Sequence, residues 1–218
     1  MSKRTIVIWA IEFASFTAIA VVLSTATTAA KLWAALPAVI IVASKIAEYL
    51  HNVRVRMNIV RYQLQILLTL LPTDGSRVRC TYHRPVHQKL RNRTQLAQAF
   101  DYIPDGGGGG RRFPIEKGII GKVYSIKAPR VENFASDEEY RKRMVAEYNY
   151  TTSEVMERTA DRRSYVCYPV VEENHKVLGV LYLDSDKPGT FTMDETNPRW
   201  RAIRDAGEVI RSNVLAGS

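Results

Sequence analysis

Cysteine is nearly absent from this chain: 218 residues contain only Cys80 and Cys167, far apart in sequence. That excludes a disulfide framework and a four-cysteine zinc site. Each lies in an apolar-alternating stretch, so both read as small buried hydrophobes in a reducing compartment rather than as a redox pair. Catalytic signatures are missing as well. The chain has no His-Glu-x-x-His, no Gly-x-Ser-x-Gly and no kinase set. His83 and His87 are divided by Pro85, which spoils the helical spacing that a metal pair needs. Asp184 and Asp186 straddle Ser185 at the end of an apolar run, a turn-forming arrangement. No catalytic residue, metal ligand, cofactor or enzymatic activity is expected. The five glycines from Gly106 to Gly110 lack both a Gly-Lys-Ser/Thr ending and a preceding buried strand, so they read as a flexible linker and not a phosphate loop.

Charge is missing from two stretches, and each gap has its own meaning. Between Thr5 and Ser44 the only ionisable residues are Glu12 and Lys31, so a mean hydropathy of −0.18 conceals a sharply divided chain. Between His51 and Phe100 the only acid is Asp74, against nine arginines and lysines that supply most of the net charge of +9. No helix-turn-helix, zinc or RNA-binding signature accompanies that basic stretch, so nucleic acid is set aside and an anionic lipid surface is the expected partner. The first apolar run, Thr5 to Leu23, is long enough to cross a ~30 Å hydrocarbon core as a helix and longer than a signal peptide's apolar core. Ser24 to Thr28 offers a turn, and Ala29 to Ser44 a second, weaker span, kinked at Pro37 and extended by snorkelling of Lys31 and Lys45, with a buried helical hairpin or an interfacial helix as the alternatives. Lys3 and Arg4 before these runs, and Arg54, Arg56 and Arg61 after them, place both ends in the cytoplasm.

A heptad stripe follows. Ile46, Leu50, Val53, Met57, Val60, Leu64, Leu67 and Leu71 alternate in steps of four and three, one face of a helix continuous with the second span. A stripe of this kind either packs on a domain core or forms the seam of a parallel dimer, and eight unbroken positions favour the dimer. Pro72 stops the helix. Beyond it, strands are predicted at Val78 to Tyr82, near Gln95 to Tyr102, at Tyr165 to Val171 and at Lys176 to Leu183. Helices are predicted from about Asp137 to Arg158 and from Pro198 to Val214. The last pair of strands flanks the polar turn Glu172 to His175, the pattern of an antiparallel hairpin.

Those elements, taken in order, resemble a GAF domain. The resemblance rests on Gly118-Ile-Ile-Gly121 opening a helix, a short strand around Val131, the Asn133 to Asp137 turn, and Arg163-Ser164 leading into a strand. It also rests on Pro169 within that strand and on Gly179-Val-Leu-Tyr-Leu as the last one. It spans roughly Pro72 to Val214. It implies an α+β fold with an antiparallel sheet flanked by helices, here preceded by the N-terminal helical membrane hairpin. The expected division is a two-span hairpin over 1–45, a connecting helix over 46–72 and a sensor domain over 73–218. The resemblance further implies a pocket lined by Arg112, Phe113, Ile120, Tyr124, Asn133, Phe134, Asp137, Arg163 and Tyr165. Arg112, Arg162 and Arg163 would grip phosphate, and Phe113, Phe134 and Tyr124 would stack on a base. The same aromatics also read as core, and the arginines as solvated. Phe134 stands too close to Asp137-Glu138, with no Asn-Lys pair before it, for the cyclic-nucleotide pattern of the family. The cysteines do not form the cluster that the family's methionine sulfoxide reductases need, and none lies on the helix that would carry a bilin.

The function these features imply is a cytoplasmic small-molecule sensor, with nucleotides among the candidate ligands. It would be anchored in the inner membrane, dimeric, and signal to its membrane hairpin, an architecture that resembles bacterial stress and defence effectors. The alternative is a ligand-free scaffold that dimerises and recruits a partner protein to the membrane.

Overall fold

The computed structural model describes residues 28–71, 74–88, 92–156 and 161–215. The first apolar run, 5–23, lies outside the described residues. The chain divides into two compact units, 1–54 and 55–218. Helix α1, Thr28–Leu70, runs through the second apolar stretch with Pro37 inside it and on through the heptad stripe. In the first unit Ile40, Ile41, Ile46 and Leu50 are exposed. Among the described residues no helix is long and apolar enough to cross a membrane.

The second unit is built on six strands: β1 Val78–Gln88, β2 Arg93–Gln98, β3 Arg112–Pro114, β4 Arg130–Asn133, β5 Ser164–Val171 and β6 Val177–Ser185. They pair antiparallel throughout, in the order β3-β2-β1-β6-β5-β4. Strands β6 and β5 are the most apolar. Val180, Leu181 and Leu183 of β6 and Val166 and Cys167 of β5 are all fully buried, as strands covered on both faces must be. The predicted hairpin is present, and β1 runs well past its expected end at Tyr82.

Period-two alternation along β1 assigns its side chains to two layers. Cys80 and Tyr82 point into a core shared with Val60, Leu64, Leu67 and Leu71 of α1 and with Trp200, Ile203 and Ile210 of helix α5, Pro198–Leu215. This corrects the dimer-seam expectation for the last half of the heptad stripe. Val60 and Leu64 are fully buried against the domain's own sheet, because a sheet face of this size needs an apolar helix to cover it. The opposite layer carries helix α2, Gly118–Ile126, helix α3, Asp137–Glu147, and the short helix α4, Thr152–Met156.

The single helix expected over Asp137 to Arg158 is thus two. Each opens on a reciprocal pair of side-chain caps. Ser136 Oγ accepts from Glu139 N at 3.1 Å while Glu139 Oε2 accepts from Ala135 N, and Thr151 and Glu154 repeat the exchange. Asn149, with φ 58°, breaks the chain between them in the left-handed conformation that asparagine tolerates.

Candidate functional site

On the α2–α3 side of the sheet a cavity of about 390 Å³ opens among Arg79, Tyr102, Phe113, Tyr140, Arg162, Tyr165, Tyr182 and Asp184. A smaller recess of about 80 Å³, reaching to Ile119, Ile120 and Tyr150, shares Tyr102, Phe113, Tyr140, Tyr165 and Tyr182 with it. Sheet register creates the polar wall. Arg79 of β1 stands directly opposite Asp184 of β6 and grips it with a two-point fork at 2.8 and 3.1 Å. Tyr182 donates to the same carboxylate at 3.0 Å, and Arg162 Nε lies 3.5 Å away. Burial lifts the Asp184 carboxyl above the ordinary carboxylate range, against the pull of Arg79. Burial lowers the Arg79 guanidinium, and the Asp184 fork more than offsets it, leaving the group raised. Of these opposing shifts the geometry decides: the fork is that of an ion pair. Arg79 also lies 4.1 Å over the Tyr102 ring, whose hydroxyl burial pushes up to about 12.

The glycine run is a structured strap and not a linker. Gly110 N donates to Gln98 O and Tyr102 N to Gly107 O, at 2.9 and 3.0 Å. Gly109 N donates to Asp101 Oδ1 at 2.8 Å. Gly106, Gly107, Gly108 and Gly110 all have φ between 78° and 91°, a region that only glycine enters without strain. Gly106 and Gly107 rim the cavity beside Arg111, whose guanidinium has no hydrogen bond or ion pair among the described residues.

The sequence-predicted residues are divided by this geometry. Phe113, Ile120 and Tyr165 line the two recesses. Phe134 is fully buried behind them, edge-on to Tyr140 and Tyr165 at 5.2 and 5.6 Å, and Tyr124 packs against the same cluster. Asn133 ties strands to loops, accepting from Ser164 Oγ and Gly189 N and donating to Phe191 O. Asp137 and Arg163 are paired with each other. Arg112 is exposed on the edge strand. Arg162, read as a phosphate grip, is nearly buried. It holds Arg77 O and Asp105 from inside the wall, at 2.8 and 2.9 Å. The residues the sequence did not assign to the site are Arg79, Tyr102, Arg111, Tyr140, Tyr182 and Asp184. A sequence signal existed only for Arg79 and Asp184, charges inside apolar strands.

Cys80 and Cys167 are free, buried and on opposite faces of the sheet. Burial pushes the Cys80 thiol up to about 12 and raises Cys167 further from ionisation than an ordinary thiol. Among the described residues no cluster of potential metal ligands occurs.

No protein-family model and no curated protein matches the chain. Solved structures do. The GAF domain region of a Geobacter sulfurreducens PCA protein, described as a membrane protein, aligns over 78% of this chain and 99% of its own at 14% identity, with a TM-score of 0.54. The chain has a GAF-like fold. The GAF-B domain of DevS from Mycobacterium smegmatis aligns over 74% of this chain and 95% of its own at 13% identity, TM-score 0.48. A free methionine-R-sulfoxide reductase from Neisseria meningitidis, solved with its substrate, aligns over 72% and 78% at 17% identity, TM-score 0.46. That last match corrects the expectation of no enzymatic activity. Solved proteins of similar architecture include enzymes, so a GAF-like fold does not by itself set catalysis aside.

Proposed function

We propose that the second unit is a sensor domain that binds a flat, anionic small molecule in the cavity between the sheet and helices α2 and α3. One observation carries the reading: the aromatic rings of Tyr102, Phe113, Tyr140, Tyr165 and Tyr182 converge on one recess whose rim holds the unpaired Arg111 guanidinium. A pocket of a few hundred Å³, walled by rings and marked by a few convergent polar groups, is the common form of a small-molecule site. The rings offer stacking surface, and Arg111 offers a planar fork for a carboxylate or phosphate.

The experiment is mass spectrometry of small molecules released from the purified full chain, comparing wild type with Phe113→Asp and Arg111→Ala. A compound carried by the wild type and lost from both variants supports the reading. Retention by both variants refutes it.

The N-terminal part of the proposal is attachment to the inner membrane with the sensor unit in the cytoplasm. It is supported by the near absence of charge from Thr5 to Ser44 and by the basic stretch that follows. Release of the chain from membranes by high salt alone refutes spanning, because salt screens only electrostatic attachment.

A further inference from the structure

Beneath the aromatic wall two adjacent side chains of the sheet hold three buried polar atoms that no protein group satisfies. His83 of β1 and Gln98 of β2 are directly opposite in the register, so they share the cavity-side face as close neighbours. Both are essentially fully buried. Neither ring nitrogen of His83 has a hydrogen-bond partner, and neither does Gln98 Oε1. Phe113 and Tyr182, which line the cavity, meet the imidazole edge-on at 5.5 and 5.7 Å. Groups buried this deeply are nearly always paired, and here the unpaired atoms of two adjacent residues gather behind one cavity.

We propose that His83 and Gln98 are the polar floor of the binding site and read the edge of a heteroaromatic ring that carries an N–H donor beside an acceptor. The inference rests on the pocket reading above and names its ligand class. Burial lowers the His83 pKa to about 3, so the imidazole is neutral and presents one donor and one acceptor. Gln98 commits its Nε2 to Phe100 O at 3.1 Å, leaving Oε1 as a second acceptor. The floor therefore offers two acceptors and one donor to a ring edge, while Arg111 at the rim takes an anion on the same molecule. The glycine strap covers this floor. A Cβ on Gly108 would stand 2.7 Å from Gln98 Nε2, and Gly107 O is held by that same amide only at 3.4 Å. That weak contact is the one an entering ring displaces.

The test is calorimetric titration of the full chain with guanosine monophosphate, adenosine monophosphate, guanosine and benzoate. The first three carry the ring edge, with or without phosphate, and benzoate is a flat anion without it. Wild type is expected to bind at least one of the edge-bearing compounds. His83→Phe and Gln98→Met should each weaken that binding about tenfold, the loss of one or two hydrogen bonds, and leave benzoate unchanged. The melting temperature of His83→Phe should not fall, because no formed hydrogen bond is lost with the imidazole, whereas Gln98→Met also loses the bond to Phe100 O and is judged by nucleotide against benzoate affinity. Guanosine binding as tightly as its monophosphate would assign the recognition to the base, and a stronger monophosphate would add the phosphate at Arg111. Unchanged nucleotide affinity in both variants overturns the floor and leaves the pocket reading standing. An equal loss for benzoate, or a lowered melting temperature with intact binding, assigns the two residues to structure and overturns it too. If none of the four compounds binds wild type at about millimolar concentration, the ligand class is wrong. The pocket reading is then decided by the released-molecule measurement.

Discussion

Replacing Leu64 with alanine decides what the α1 stripe does. Leu64 is fully buried in the core between α1, α5 and the sheet, and Cys80 Sγ lies 3.8 Å from its carbonyl oxygen. Removing its branched end forfeits about 2 kcal/mol of apolar transfer at ~0.8 kcal/mol per methylene. The cavity left behind raises the cost to about 3–4 kcal/mol, as in comparable Leu→Ala replacements. For a unit of this size each kcal/mol lowers Tm by about 2–4 °C, so the drop should be about 6–16 °C. Leu50 supplies the control. It occupies the same stripe two heptads earlier and is 59% exposed, so Leu50→Ala should cost no more than about 0.5 kcal/mol. The assay is thermal melting of the full chain by near-ultraviolet circular dichroism at two protein concentrations tenfold apart. Within one chain's core Tm does not depend on concentration, whereas a dimer seam makes it rise. Equal losses at Leu50 and Leu64, together with a concentration-dependent wild-type Tm, would refute the packing argument and restore the seam.

Glu154 receives a hydrogen bond from Lys117, which with the Thr151 contacts draws its carboxyl down to about 2. A lowered carboxylate contributes stability that is whole above the unfolded value of 4.5 and is lost as pH falls through about 2. The melting gap between wild type and Glu154→Gln should therefore be present at neutral pH and close on acidification; a gap constant with pH contradicts the pair. A thiol reagent at pH 8 should label neither Cys80 nor Cys167 until urea unfolds the chain, and labelling of the folded protein within minutes would show that the burial is wrong. In Gly121→Ala the new Cβ would stand 2.6 Å from the Ile115 backbone oxygen. Because backbone cannot swing aside as a side chain can, a loss of about 1–3 kcal/mol is expected, measured by urea midpoint, and an unchanged midpoint refutes the close approach.

Local pattern made part of this fold legible. The β5–β6 hairpin follows from period-two alternation around a polar turn, and α5 from Trp200, Ile203 and Ile210 on one stripe. The break at Asn149 was also signalled, by Thr151 and Glu154 at capping-box spacing, but the charged run across it reads as one helix. The heptad stripe misled for a physical reason: a seam facing a second helix and a seam facing a sheet need the same apolar period. The site was the least legible part. Arg79, Tyr102, Tyr140 and Asp184 are remote in sequence and meet only through the pairing of β1 with β6 and the packing of α3. Asp184 read as a turn residue because nothing local revealed that Arg79 would stand opposite it. The glycine strap looked like a linker because composition reports freedom and not the hydrogen bonds that remove it.

Strand β1 serves two masters on alternate residues, and this restricts which changes in chain length the protein can survive. Arg79, Thr81 and His83 face the cavity, while Cys80 and Tyr82 face α1. Deleting one residue between them would turn every later side chain through the sheet. The His83 imidazole would then enter the leucine layer and the Tyr82 ring the cavity side, so cavity and core would fail together. Deletion of one residue pair from the outer end of the β1–β2 hairpin, past Pro85 and Leu96, preserves the parity on both faces and shortens only the edge. Natural length variation in this strand should therefore come in steps of two and gather at that far end.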